Sequence, residues 1–343
     1  MFSKSVLPSL LKKQANYTPQ PLYIFDANKW RPLHSSIRSP PSLSQTLSPF
    51  HSLHLITWNI DFMAPYPQAR MSAALAHLHT LVDRIPTTSA IVIFLQEMQE
   101  SHEIQPTEHT ASDLSQLQDA AWVRDRFNMT DLDARRWRSR YGTVTLVDRR
   151  LDVKYVGRKP FTSEYGRDAL FVDVGLGGEN EAQVCRLCNV HLDSMVGAWR
   201  PLQWKALAKL LQPQADPKGN ENIAASIVAG DCNANQLRDR TEPQDNGFKD
   251  AYLECGGVEG DEEGATWGFH STHWRRYGRQ RLDKVAFWGD VAVQSLERIG
   301  VQVKVEEERV AQELEMLGKL PYATDHYGLM AVFDVPDGLC SVP

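Results

Sequence analysis

The 343-residue chain has too few cysteines, in the wrong arrangement, for a disulfide scaffold: five, an odd number scattered along its length. That usage fits a reducing compartment. Cys185 and Cys188 form a C-x-x-C, but no second pair and no histidine pair completes a zinc site. In a strand, residues three apart face opposite sides, which also argues against a bridge there. No uninterrupted apolar run approaches the roughly 20 residues of a membrane span, so stable membrane insertion is not expected. Positive charge is not in excess either. Against 43 Asp and Glu stand 37 Lys and Arg, a formal net charge of −6, so any grip on phosphates must use a local patch. No internal repeat is visible. What remains is ordinary globular composition, 42% hydrophobic and 23% charged.

The first fifty residues differ from the rest. They hold seven prolines, many serines and a single acid, Asp26. Lys4, Lys12 and Lys13 with Val6, Leu7, Leu10 and Leu11 make a short basic amphipathic pattern. It reads as a disordered tail, with mitochondrial targeting as the alternative to a nuclear or cytoplasmic location. Tyr23, Phe25 and Trp30 are poorly suited to disorder, so a piece over 21–32 is expected to dock on the body, and Ser35 to Pro49 to act as a linker or surface loop.

From His54 onward apolar strands and amphipathic helices alternate. Leu53 to Trp58, Ala90 to Leu95 and Ile223 to Ala229 read as buried strands. Tyr141 to Val147, Val153 to Gly157, Ala169 to Val174 and Val184 to His191 read as consecutive strands, and Leu282 to Trp288 and Leu329 to Val335 as late ones. Residues 67–84 and Trp199 to Leu211 carry leucines at helical spacing, Asp113 to Ala121 is a short helix, and Glu306 to Leu317 is a charged helix with no chemistry assigned. The fold class is α/β, with two packed β-sheets flanked by helices.

The informative residues stand where the apolar strands stop. Asn59 and Asp61 follow Trp58, Gln96 and Glu97 follow Leu95, and His191, Asp193 and Ser194 close the strand from Val184. Asp231 and Asn233 follow Gly230, Asp283 opens the next strand, and Asp325 and His326 precede the last. One such carboxylate is usually a cap or turn residue. Six groups are another matter, because packed sheets gather strand ends along one rim. A cleft of carboxylates, amides and imidazoles without cysteine suits Mg²⁺, with Mn²⁺ as substitute, and phosphoryl chemistry.

In this order the motifs WN-I-D, L-Q-E, Y-G-T, N-V-H-L-D-S, G-D-x-N, R-L-D and T-D-H-x-G-L resemble the endonuclease/exonuclease/phosphatase superfamily, from about Leu53 to Val335. Within it, His191-Leu192-Asp193-Ser194 and Ala265-Thr266-Trp267 resemble the 5′-tyrosyl-DNA phosphodiesterase branch; the W-C-D-R stretch of inositol polyphosphate 5-phosphatases is absent. The resemblance implies a four-layer, deoxyribonuclease-I-like α/β sandwich, with 1–50 as tail and linker and 51–343 as the catalytic domain. It implies Glu97 as the principal metal carboxylate, with Asp325 beside it and Asn59 supporting either the metal shell or the base. Asp231 would orient or deprotonate the attacking water. Asn233 would donate to a phosphate oxygen, and a protonated His326 paired with Asp283 would contact the phosphate. His191, Ser194, Tyr141, Arg281 and Trp267 would bind phosphate or substrate. One departure touches the substrate: the branch carries an arginine two residues after the asparagine, and here that position is Asn235, with Arg238 as the substitute to examine.

Two basic runs border these motifs, Arg135, Arg136, Arg138 and Arg140 around Trp137, and Arg275, Arg276, Arg279, Arg281 and Lys284 around Trp274 and Tyr277. Guanidinium groups bind phosphates and aromatic faces stack unpaired bases. The expected partners are therefore DNA ends or single-stranded DNA, including DNA–protein adducts, bound by a monomer acting in DNA repair. A same-fold hydrolase of abasic DNA, RNA, phospholipid or a phosphomonoester is the alternative, and an inactive binding scaffold a further one.

Overall fold

In a computed structural model of the chain, residues 17–33, 48–100, 111–177, 183–212 and 222–342 are described. The amphipathic pattern over 4–13 and most of the stretch from Ser35 lie outside the described residues. In chain order the strands are β1 (Thr18–Pro19), β2 (Tyr23–Asp26), β3 (Lys29–Pro32), β4 (Phe50–Asn59), β5 (Ala90–Gln99), β6 (Phe127–Met129), β7 (Tyr141–Asp148), β8 (Val153–Pro160), β9 (Asp168–Gly175), β10 (Val184–His191), β11 (Ile223–Asp231), β12 (Lys249–Asp250), β13 (Asp283–Gly289), β14 (Ala292–Ile299) and β15 (Gly328–Leu339). The helices are α1 (Pro67–Arg84), α2 (Asp113–Asp119), α3 (Ala121–Arg126), α4 (Arg200–Leu211), α5 (Glu242–Asp245), α6 (Ala251–Glu254), α7 (Trp274–Tyr277) and α8 (Glu308–Met316).

The strands form two mixed sheets, one in the order β1-β8-β9-β10-β11-β13-β12 and one in the order β14-β15-β4-β5-β7-β6-β2-β3. Alternation along each strand builds the layers. In β5, Ala90, Val92 and Phe94 enter the core between the sheets, while Ile91, Ile93 and Leu95 enter the core that covers Met71, Leu75 and Leu78 of α1. That two-sided burial is why β5 reads as an unbroken apolar run. On the other sheet Cys185 joins the inter-sheet core, and Cys188 faces Trp204 and Leu207 of α4, so the two thiols sit on opposite faces. The result is the four-layer α/β sandwich expected from the sequence.

The N-terminal stretch seals one flank of both sheets. β1 pairs with β8, and the β2–β3 hairpin meets β6 through Tyr23 and Met129. Tyr17 packs edge-on against Tyr155 and Phe171, Leu22 is buried, and Trp30 Nε1 donates to the Gln118 carbonyl at 3.2 Å. Deleting residues 1–33 would uncover two strand edges and these aromatic contacts. The expected cost is about 3 kcal/mol or more. Urea denaturation checks it; an unchanged midpoint would show that the stretch contributes nothing.

Register brings the polar strand ends to one rim. β10 and β11 run parallel with His191 opposite Asp231, and antiparallel β13 places Asp283 opposite Asp231. On the facing sheet β4 and β5 run parallel with Asn59 opposite Gln96, and β15, entering antiparallel to β4, starts just after His326. Gly230, at φ +147°, lets β11 approach β10, since a Cβ there would lie 1.8 Å from the Val190 carbonyl oxygen.

Candidate active site

Asp231 is the hub of this rim. Its Oδ2 accepts from Asn59 Nδ2 at 3.0 Å, and His191 Nε2 lies 3.3 Å away; its Oδ1 accepts from the Asn233 backbone N–H at 2.8 Å. Burial alone would raise this carboxyl. The His191 hydrogen bond and the nearby His326 charge outweigh it and hold Asp231 below the usual carboxylate range. His191 stays neutral: burial first, then Arg167, push it down to about 4, so its Nε2–H serves as a donor to Asp231. His326 goes the other way. Burial lowers it, but Asp283, Asp325 and Asp231 surround it and raise it well above the ordinary histidine range. Its Nδ1 donates to Asp283 Oδ2 at 2.8 Å. An imidazolium therefore stands with Nε2 3.9 Å from Asp231.

Glu97 sits where the β5–β7 register shifts, with φ +60°, and is largely buried. Its Oε2 accepts from the Phe62 N–H at 3.0 Å. Burial, then Asp61, Asp231 and Asp325, raise its carboxyl to about 8. Asp61 and Asn233 share the left-handed backbone, at φ +57° and +48°. Such strain collects at functional sites because the surrounding structure must impose it.

An acidic, oxygen-rich set this crowded fits a divalent cation. Glu97, Asp61 and Asp325 line one hollow together, and ligand atoms of Glu97, His191 and Asp231 lie within 4.8 Å of one another. Asn59 reaches the base: its amide donates to Asp231 at 3.0 Å, while its Oδ1 accepts from the Asp61 N–H at 2.9 Å. Asp325 Oδ2 accepts from Trp267 Nε1 at 2.8 Å, so Trp267 steers a carboxylate besides lining the cleft. The Asn233 Nδ2 donates to the Leu192 carbonyl at 3.0 Å and to Asp231 at 3.3 Å.

The cleft above these groups measures about 1070 Å³. Ser194 and Tyr141 line it, and Tyr141 stacks on Phe62 with ring centroids 4.0 Å apart. Arg138, Arg140, Arg167 and Tyr277 also line the cleft. Arg167 was not singled out in the sequence. Its guanidinium lies 5.0 Å over the Tyr141 ring, and it stands just before β9, as Asp325 and His326 stand just before β15. That strand-border position was the available signal.

Three sequence expectations need correction. Arg281 does not face the cleft; it is buried in a two-point contact with Asp250 at 3.0 and 2.9 Å and pairs with Glu259, and Lys284 joins the same network. Trp137 is buried against Gly142, where a Cβ would sit 2.4 Å from its ring, so it stacks no base. Arg238 does not replace the absent arginine: its guanidinium donates to the carbonyls of Val196 and Gly197. The guanidinium that reaches Asn235 comes from α4, where Arg200 donates to Asn235 Oδ1 at 2.9 Å.

The endonuclease/exonuclease/phosphatase family model matches residues 56–326, from β4 to His326. The chain belongs to that family. No curated protein sequence matches it. Solved structures of family members share its fold. TDP2 (tyrosyl-DNA phosphodiesterase 2) of D. rerio, complexed with single-strand DNA product, is 18% identical over 83% of this chain and 99% of its own, with a TM-score of 0.57. Truncated TDP2 of Caenorhabditis elegans is 20% identical over 83% and 98%, with a TM-score of 0.57. An endonuclease/exonuclease/phosphatase from Bacteroides vulgatus is 15% identical over 83% and 99%, with a TM-score of 0.53. At these identities the likeness speaks for the fold. Among the described residues no helix is long and apolar enough to cross a membrane.

Proposed function

We propose that this family member is a Mg²⁺-dependent phosphodiesterase, with Mn²⁺ as substitute, that acts on DNA 5′ ends and removes a tyrosyl adduct as a repair step. The observation that carries the reading is the pairing of opposites on one rim: Asp231, held ionised by donors, faces His326, held protonated by carboxylates. Phosphoryl transfer asks a protein for positioning and charge, and this pair supplies both.

Asp231 orients a water for in-line attack and takes its proton as the new P–O bond forms. Its strong hydrogen bonds make it a weak base, so the transfer falls late. His326 donates from Nε2 to a non-bridging oxygen. Asn233 exchanges its longer bond, to Asp231, for a second non-bridging oxygen. A cation held by Glu97, Asp61 and Asp325 would supply Lewis-acid neutralisation of phosphate charge. The opposite P–O bond breaks, the tyrosine leaves as phenoxide, and solvent protonates it. Arg138, Arg140 and Arg167 bind backbone phosphates, Ser194 adds a donor, and Tyr277 stacks a base, which fits the end of a single strand. The D. rerio relative's DNA product complex supports that path.

A second reading keeps the chemistry and changes the ester: abasic DNA, RNA or a phospholipid. Asn235 in place of the branch's arginine favours it. Incubation with a 5′-tyrosyl oligonucleotide, with and without chelator, beside these other esters separates the two. The expected result is cation-dependent release of a 5′-phosphate strand. Inertness toward the tyrosyl ester with turnover of another would move the assignment to that ester.

A further inference from the structure

Asp193 stands between His191 and Ser194 in the chain; both of those line the cleft, and Asp193 does not. It is 1% exposed and reaches instead the loop between β8 and β9. Its Oδ1 accepts from the Ser163 hydroxyl, and its Oδ2 accepts from the Glu164 N–H at 3.0 Å. Ser163 Oγ in turn accepts from the N–H groups of Tyr165 and Arg167, each at 3.0 Å. One carboxylate and one hydroxyl thus gather three backbone donors of a single loop. Asp193 is itself fixed from α4. Its N–H donates to Gln203 Oε1 at 3.1 Å, and its carbonyl accepts from Arg200 at 2.7 Å. Gln203 Nε2 also donates to the Thr162 carbonyl at 3.1 Å, so α4 holds both partners of the contact.

The loop held in this way brings Glu164, Tyr165, Gly166 and Arg167 to the cleft. Arg167 is the member whose placement is most demanding. It is 6% exposed, its Nε has no hydrogen-bond partner, and the neighbouring Asp168 is taken by Arg158 at 2.7 Å. Among the described residues no carboxylate pairs with it. A buried guanidinium without a counter-ion is costly, and an ion pair cannot be what aims it. Its backbone does that instead: the N–H rests on Ser163, and the carbonyl accepts from the Phe161 N–H at 3.0 Å.

We propose that Asp193 is a positioning residue: through Ser163 it sets the loop that presents Arg167 to a substrate phosphate, while touching neither substrate nor cation itself. This rests on the phosphodiesterase reading above, in which Arg167 grips a backbone phosphate, and adds what holds that grip in place.

The test is a double-mutant cycle of Asp193→Asn with Arg167→Met, read by fluorescence anisotropy as binding of a 5′-phosphorylated single-stranded oligonucleotide with Mg²⁺. In Asp193→Asn either the Glu164 N–H meets an amide donor or the Ser163 hydroxyl loses its acceptor. Each single variant is expected to weaken binding about fivefold, and the double variant no further than Arg167→Met alone. In turnover of the ester that the native protein cleaves, the Asp193→Asn loss should fall on KM, about fivefold, with kcat within about twofold. Ser163→Ala should repeat the loss, and Ser163→Thr, which keeps the hydroxyl, should keep native binding. If Asp193→Asn fails to fold, the cycle of Ser163→Ala with Arg167→Met decides in its place. Additive losses, a fall in kcat as large as the rise in KM, or native binding by Arg167→Met would overturn the proposal. A cycle that closes as expected in a protein inert toward every ester would instead refute the hydrolase reading and leave the coupling of Asp193 to Arg167 standing.

Discussion

Asp231→Asn is expected to reduce turnover by about 10³-fold or more while leaving the fold in place. The substitution keeps the shape and removes the charge. In the native site one carboxylate gathers the Asn59 amide, the His191 Nε2–H and the Asn233 N–H, and all three are donors. An asparagine must present its own amide hydrogens to one of them, so a donor meets a donor and the water loses its acceptor. Because the fold favours the ionised Asp231, removing its charge should lower stability modestly, while the β10–β11–β13 pairing around it keeps the fold in place. Single-turnover rates at saturating Mg²⁺ with circular dichroism of the same sample provide the check. A folded variant that retained the native rate would remove Asp231 from the reaction.

The sequence disclosed this site because carboxylates, amides and imidazoles are costly at the ends of buried strands unless they serve a purpose. Leu53 to Trp58 and Ala90 to Leu95 could be read as strands since both faces are covered, and what followed them stood out. Where a strand lies at an edge the signal fades. β14 is mostly exposed and mixes charge with apolar residues, and β1 and β2 borrow their order from partners over a hundred residues away, Thr18 against Arg158 and Tyr23 against Met129. Direction was the other hidden variable. A run of arginines announces charge, not where each side chain points. Arg281 turns inward because Asp250 and Glu259 await it 31 and 22 residues earlier, a relation no local window contains. Arg167 was hidden for the converse reason: a lone arginine between strands resembles a surface residue until the Tyr141 ring is seen beneath it. Cys185 and Cys188 were legible, since strand alternation alone puts them on opposite faces.

Glu97→Gln tests the cation through stability as well as rate. The Glu97 carboxyl rises from an ordinary 4.5 to about 8, through burial first and then the Asp61, Asp231 and Asp325 charges. Between those values the folded chelated protein binds a proton that the unfolded chain has lost. The Glu97 contribution to stability without divalent ions must therefore fall as pH rises from about 4.5, and level off above about 8. A cation competes with that proton, so the rise in Tm on adding Mg²⁺ should be several degrees larger at pH 8.5 than at pH 6. In Glu97→Gln the group cannot ionise. The chelated variant should be the more stable protein at pH 8.5, should lose the Glu97 share of the pH slope, and should respond little to Mg²⁺. Its turnover should drop by about 10³-fold, since the phosphate charge loses its counterweight. Thermal melts of both proteins at the two pH values, with chelator and with Mg²⁺, decide the matter. If the variant kept the native Mg²⁺ response, the cation would have to be held by other oxygens on this rim, and the crowding that raises Glu97 would need another function.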